Sequence, residues 1–444
     1  MKKRLLAFGC LSLLLQNAWA ADLLEAWSSA RKTDAVFSAA RNGLLAGREK
    51  AAQGDALLLP KLSLAGNAGR ANSEFDPEKP TSTSQSYNRN GNSYGYSLSL
   101  TQPVYRIEAL AGADQLRKQT ALAEIQYRQA ESDLIQRVAK AYFDVVLAEE
   151  KIRQIAAQKE AVSQQLAQAK LSFEVGVATI TDVDAAQASY DGLLSQEIAA
   201  LNDREVKYQA FEQLTGLKPQ TLAPVSDKLQ PGMPEPATVD PWLKRADEGN
   251  FTLLSQRLNL EIARREVDKY KMETAPGLDL VASYGSKWES ASLTKTAGVE
   301  KTATGQIMLQ LSVPLYTGGN RSSQFREAIA KQDQQRDNVE AARRDTVLST
   351  RKAFLGVQSG AAQIKALQQS LNSSKSLVDS TTLGKEVGVR TIVDVLNAQQ
   401  QYYSTRYDLT SARCNYLLSR LQLAAAVGDL GEKDLEEVAG WLAK

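Results

Sequence analysis

A mainly α-helical chain, internally duplicated and carrying four strands of transmembrane β type, is the fold class that three features predict. The phrase EVGVATITDVDAAQ, Glu174 to Gln187, returns 212 residues later as EVGVRTIVDVLNAQ, Glu386 to Gln399, with ten of fourteen positions identical and no gap. Ahead of both phrases run long proline-free segments whose apolar residues fall at heptad-like steps. Between paired prolines, short stretches alternate apolar with small polar residues, as a wall with lipid on one face and water on the other requires.

The repeat keeps its phase along the chain. Lys140-Ala141-Tyr142-Phe143-Asp144-Val145 matches Lys352-Ala353-Phe354-Leu355-Gly356-Val357, again 212 apart. Gln102-Pro103-Val104-Tyr105 resembles Val313-Pro314-Leu315-Tyr316, and Pro60-Lys61-Leu62-Ser63-Leu64 resembles Pro276-Gly277-Leu278-Asp279-Leu280. A repeating unit of roughly 210 residues is too long for a solenoid of short repeats. The expected organisation is a signal peptide over 1–20, a first structural repeat over 21–231, a second over 232–427 and a tail over 428–444.

Each element follows from its own pattern. In the first half Val138, Tyr142, Val145, Ile152, Ile155, Val162, Leu166 and Phe173 define one long helix from about Ile107. In the second, Val347, Phe354, Val357, Ile364, Leu367, Leu371 and Val378 define its counterpart. At 1.5 Å per residue such a helix is on the order of 100 Å long, beyond the reach of a single globular core. Shorter helical arms return along each: Ile180 to Leu214 and Pro241 to about Thr274 in one half, Thr391 to about Val427 and Leu23 to Leu59 in the other. The N-terminal helix is therefore expected to complete the second half. Strands are expected at about 61–70, 93–102, 277–287 and 304–313, with Tyr87, Tyr105, Tyr284, Trp288 and Tyr316 as interfacial aromatics near their ends. Four strands cannot close a barrel, so other copies of the chain must meet the open edges in a cyclic homo-oligomer.

Composition excludes several functions. Lys2, Lys3 and Arg4, the apolar run Leu5–Leu15 and Ala18-Trp19-Ala20 have the layout of a cleaved secretory leader. A lipoprotein site at Cys10 fits less well, because the apolar run continues past it. Loss of the leader takes the formal charge from +2 to −1, which offers nothing to nucleic acid. Only Cys414 would remain, so no intrachain disulfide is expected. Histidine is absent, which removes the commonest general base and metal ligand. With no Gly-rich phosphate loop and no G-x-S-x-G elbow either, the chain reads as a non-enzyme needing no cofactor or metal.

The duplicated phrase has a structural reason of its own. Gly176 and Gly388 fall where a long helix must reverse, and glycine accepts the left-handed backbone of a helix C-cap. Thr179-Ile180-Thr181-Asp182 and Thr391-Ile392-Val393-Asp394 then restart the chain with capping-box spacing. The tips are expected at about 174–182 and 386–394.

Over essentially all of the mature chain these residues resemble the TolC family of outer-membrane channels. Asp22-Leu23-Leu24-Glu25-Ala26-Trp27, Leu59-Pro60-Lys61-Leu62, Gln102-Pro103-Val104-Tyr105 and both Val-Gly tips carry the likeness, the most specific being Gly388 to Leu396. The resemblance implies a homotrimer in the cell outer membrane, in contact with its lipid. Four strands per chain would join a twelve-stranded barrel, above a periplasmic α-helical coiled-coil barrel. It implies an exit duct for an inner-membrane pump of ABC or RND type, reached through a periplasmic adaptor, exporting proteins by type I secretion or small toxic compounds. It also assigns gate contacts to Asp182 and Arg390 and the pore constriction to Asp394. Two positions depart from the family pattern: Lys385 replaces a tyrosine and Asn397 a second aspartate. A Lys385–Asp182 ion pair and a single acidic ring are therefore expected. The rival reading is a soluble periplasmic coiled-coil scaffold or adaptor, which leaves the paired strands without a purpose.

Overall fold

The computed structural model describes residues 22–79, 81, 86–219, 221–290, 293 and 299–443; the expected leader lies outside them. The elements run α1 (Leu23–Thr33), α2 (Ala35–Ala56), β1 (Lys61–Phe75), β2 (Tyr87–Arg106), α3 (Ile107–Glu174), α4 (Ile180–Thr215), α5 (Asp240–Gly249), α6 (Phe251–Tyr270), β3 (Gly277–Glu289), β4 (Glu300–Ser312), α7 (Asn320–Glu386), α8 (Ile392–Ala426) and α9 (Glu432–Ala439). Long helix, tip and shorter helix thus occur twice. The long helices hold 68 and 67 residues. No helix among the described residues is long and apolar enough to cross a membrane. The chain divides into two compact units.

One unit comprises the described residues up to Arg41, Arg128–Phe251 and the described residues from Arg343 on. Its core is the heptad stripe of the long helices. Val138, Tyr142, Val145, Ile155 and Val162 on α3 are at most 3 % exposed, and Phe354, Val357 and Ile364 on α7 at most 5 %. Tyr142 packs edge-on against Phe143 and Phe211, and its hydroxyl donates to the Ala223 carbonyl at 3.0 Å, so the buried phenol is satisfied. The tail contributes to this unit. Leu435 and Val438 of α9 are buried, and Leu442 pairs with Val225 of the proline-rich link that follows α4.

Asp34, between α1 and α2, fastens this unit. It accepts the Phe37 N–H at 2.8 Å and a two-pronged bond from Arg137 of α3 at 2.7 and 3.2 Å. The Arg137 guanidinium holds the carboxyl below the usual carboxylate range against the opposing effect of burial. A carboxyl depressed on folding stabilises above its unfolded value of about 3.9, and that contribution fades as pH falls through the lower folded value. Because Arg137 is partly in water, Asp34→Asn is expected to remove only about 1–2 kcal/mol. The thermal midpoint should fall at pH 7, and the gap to the parent should close below the carboxylate range.

The other unit comprises Asn42–Tyr127 and Thr252–Ala342 and contains the sheet. Its strands pair antiparallel in the order β1-β2-β3-β4 and run past the alternating cores seen in the sequence. The registers Leu62↔Leu100↔Ala282↔Ile307 and Leu64↔Leu98↔Tyr284 gather the apolar residues on one face. Ser63, Ser99, Ser283 and Gln306 line up on the other, where the Ser63 and Ser99 hydroxyls bond across strands at 2.7 Å. Pro103 costs the ladder nothing, because β1 stops pairing at Thr101. A register shift between Pro103 and Tyr105 sets Tyr105 opposite Leu278 and so on the apolar face.

The aromatic ends differ from those expected. Trp288 holds its place, but it stacks on Tyr94 with centroids 5.6 Å apart, and Tyr96 lies 5.8 Å away. Tyr284 pairs with Leu98, well inside the apolar band. The N-terminal arm differs as well. Here α2 bonds to α3, through Arg117–Asp55 at 2.6 Å and the Thr120 hydroxyl on the Gly47 carbonyl at 2.9 Å, rather than completing the second half along α7.

Candidate functional site

Both hairpin tips close with the same hydrogen bonds. At the end of α3 the Val177 N–H donates to Ser172 at 2.9 Å and the Gly176 N–H to Phe173 at 3.0 Å. At the end of α7 Val389 donates to Gly384 at 2.9 Å and Gly388 to Lys385 at 3.0 Å. This Schellman arrangement needs a left-handed residue just past the helix, supplied by Gly176 at φ +77° and Gly388 at φ +80°. A Cβ at either would meet no atom within 4 Å, so the requirement is on the backbone rather than on space.

The returning helices then start alike. In α4 the carboxylate Oδ2 of Asp182 accepts the Thr179 N–H at 3.0 Å and its hydroxyl at 2.7 Å, while the Asp182 N–H donates back to that hydroxyl at 3.3 Å. In α8 Asp394 and Thr391 repeat the box at 2.9, 3.0 and 3.2 Å. These bonds, with the positive end of the helix dipole, favour the ionised aspartates. Both carboxyls are held below their ordinary value, Asp182 first by the Thr179 hydroxyl and Asp394 first by the Thr391 N–H. In each aspartate the cap uses Oδ2 alone. Oδ1 has no hydrogen bond among the described residues. One oxygen therefore caps the helix, and the other is free to meet a cation.

The two hairpins pack against each other through a small apolar core. Ile155, Val162, Leu166 and Ala169 of α3 meet Ala186 and Leu193 of α4 and Ile392 and Leu396 of α8. Beside it Lys385, in the last turn of α7, spans to α3. Its ammonium donates to Gln165 at 2.8 Å and to Gln168 at 2.7 Å. The expected contact with Asp182 is not made within the chain; Asp182 acts on Lys385 only through its field. Burial pulls the Lys385 amine below its usual value, opposed by Glu386 and Asp182. Gln165 and Gln168 are thus partners of Lys385 that no sequence pattern singles out. Arg390 is exposed and lies with its stem against Gly384, whose carbonyl accepts its backbone N–H at 3.1 Å; its guanidinium makes no hydrogen bond or ion pair among the described residues. Asn397, one turn beyond Asp394 on α8, is exposed. No group of three or more histidine, cysteine, aspartate or glutamate side chains is arranged to hold a metal among the described residues.

This doubled architecture, and with it the tips, has a family. The outer membrane efflux protein family matches residues 26–217 and again 242–429. The chain belongs to that family. The two matches fall on the two structural repeats, one from α1 to α4 and the other from α5 to α8. Outer membrane protein TolC of Vibrio cholerae serotype O1 is 31% identical over 440 residues, covering 99% of this chain and 98% of that protein. Alkaline protease secretion protein AprF of Pseudomonas aeruginosa is 32% identical over 435 residues, covering 97% and 90%. The crystal structure of the outer membrane protein VceC from Vibrio cholerae superposes with a TM-score of 0.76 at 17% identity, covering 91% of this chain and 96% of that one. As a TolC-family efflux and secretion protein, the chain resides in the outer membrane.

Proposed function

We propose that three copies of this chain close a twelve-stranded barrel and form an exit duct with a helical gate. The observation that carries this reading is the sheet: four strands, one apolar face, and β1 and β4 as open edges. An apolar face and unpaired edges are tolerable in a membrane only when sister strands complete the wall. The height fits. From the Tyr105–Leu278 level to the Trp288 level is ten residues of β3, about 33 Å of strand at 3.3 Å per residue. Tilted by about 40°, that spans roughly 25 Å, the apolar band of an outer-membrane barrel.

The duct serves an inner-membrane pump of ABC or RND type through a periplasmic adaptor, with proteins or small toxic compounds as cargo. A relative named for alkaline protease secretion favours proteins. At the tips, the free Oδ1 of Asp182 and the unpaired guanidinium of Arg390 on a neighbouring copy hold the duct closed. Lys385 ties the two hairpins of one copy together, and Asp394 forms the acidic ring. The test is extraction from outer-membrane fractions followed by mass measurement in detergent. A heat-sensitive particle of three chains is expected. A stable single chain, or recovery from soluble periplasm, would overturn the reading.

A further inference from the structure

We propose that the loop-ward end of the apolar sheet face is a binding site for the phosphate of a lipid headgroup, built on Trp288, Tyr94, Lys301 and Arg70. It rests on the trimeric barrel reading above. Lys301 pairs with Trp288 across β3 and β4, and its ammonium lies 5.3 Å from the Trp288 ring centroid. The other side of the same row is Tyr94, stacked on that indole at an interplanar angle of 11°. A cation on an aromatic face, beside a second ring, is held in one place by the ring quadrupole. Its aliphatic stem lies along the apolar surface and its charge points on toward the headgroups.

Beyond the Trp288 ring, the Lys301 ammonium has no protein partner among the described residues. It is exposed and makes no ion pair or hydrogen bond among the described residues. The nearby Glu289 faces the polar side of the sheet, where it pairs with Lys287 at 2.8 Å. Arg70, one register step beyond Ala68 on the same apolar face, is also exposed and bonds only to the neutral Asn90, at 3.1 Å. Two cations thus stand at the rim of an apolar band, one on each edge strand, with no carboxylate paired to either among the described residues, and the anion found at that depth is a lipid phosphate.

The placement points to the outer leaflet. Strand β2 passes directly into α3 at Arg106–Ile107, so Trp288 and Lys301 mark the strand ends remote from the helices. Lys301 is on edge strand β4 and Arg70 on edge strand β1. Closure of three copies would bring β4 of one copy to β1 of the next, setting both cations along one seam. Three equivalent sites per assembly follow.

The experiment is native mass spectrometry of the full detergent-extracted protein with bisphosphorylated lipid A, the same lipid dephosphorylated, or inorganic phosphate. Up to three phosphorylated lipids per trimer are expected, retained in preference to the dephosphorylated form. Lys301→Gln with Arg70→Gln should lower that retention about fivefold or more, Lys301→Arg should restore it, and Lys287→Gln on the polar face should leave it unchanged. Equal retention of both lipids, retention indifferent to the double variant, or displacement by inorganic phosphate alone would overturn the site. A trimer that binds no phosphorylated lipid removes this inference and leaves the duct standing, whereas a single chain removes the duct itself.

Discussion

Arg390→Ser is expected to raise the resting conductance of the reconstituted channel in planar bilayers by about tenfold or more. The cause lies in what Arg390 does not do inside its own chain. It makes no ion pair there, while each Asp182 keeps one carboxylate oxygen free of its capping box. One exposed Arg–Asp contact is worth about 0.2–1 kcal/mol, so in the proposed trimer three acting together would hold a closed state by up to roughly 3 kcal/mol, about a hundredfold in population. Salt separates this gate from a merely rigid tip. Exposed pairs are screened as the Debye length shrinks from about 10 Å at 0.1 M to 3 Å at 1 M. The open fraction of the parent should rise with salt, and that of the variant should hardly move. A serine variant that stays closed would remove Arg390 from the gate. Asp182→Asn, which keeps an oxygen for the cap and discards the charge, should open the channel to a similar degree.

How far these elements could be read in advance follows from where their causes lie. The turns were legible because their reasons are local: a glycine at φ near +80° and a threonine three residues before an aspartate recur within one short phrase. The sheet faces were legible because alternation by two fixes which side a residue takes. What sequence left open depends on partners far along the chain. Lys385 finds Gln165 and Gln168 some 220 residues away, and neutral glutamines on a helix surface carry no pattern that points to a lysine. The stacking of Tyr94 on Trp288 requires the β2–β3 register, which no single strand encodes. The association of α2 with α3 is a choice between two similar long helices, decided by Asp55, Arg117 and the close approach at Gly47. Lys385 turns to amide oxygens across the hairpins and leaves the carboxylate of Asp182 to its cap and its free lone pairs.

Asn397→Asp is expected to increase cation preference, and Asp394→Asn to abolish most of it, as read from the reversal potential under a tenfold KCl gradient. The two substitutions differ in their structural consequences. Asn397 is exposed on α8, so the near-isosteric change adds one charge per copy of the chain without touching the turn. Asp394 also caps α8, yet asparagine can still accept the Thr391 N–H, so the charge is lost while most of the cap remains. pH then distinguishes the rings. The Thr391 N–H and hydroxyl hold the Asp394 carboxyl below the ordinary value of about 3.9, so cation preference in the parent should persist through pH 4 and fade only on further acidification. A carboxylate introduced at position 397 has no such cap and lies one helical turn from an existing like charge, which raises its pKa. The variant should therefore lose its added preference first, at the higher pH, and its original preference second. A single step, or a parent whose preference disappears well above pH 4, would mean that the charge setting the selectivity lies elsewhere in the duct.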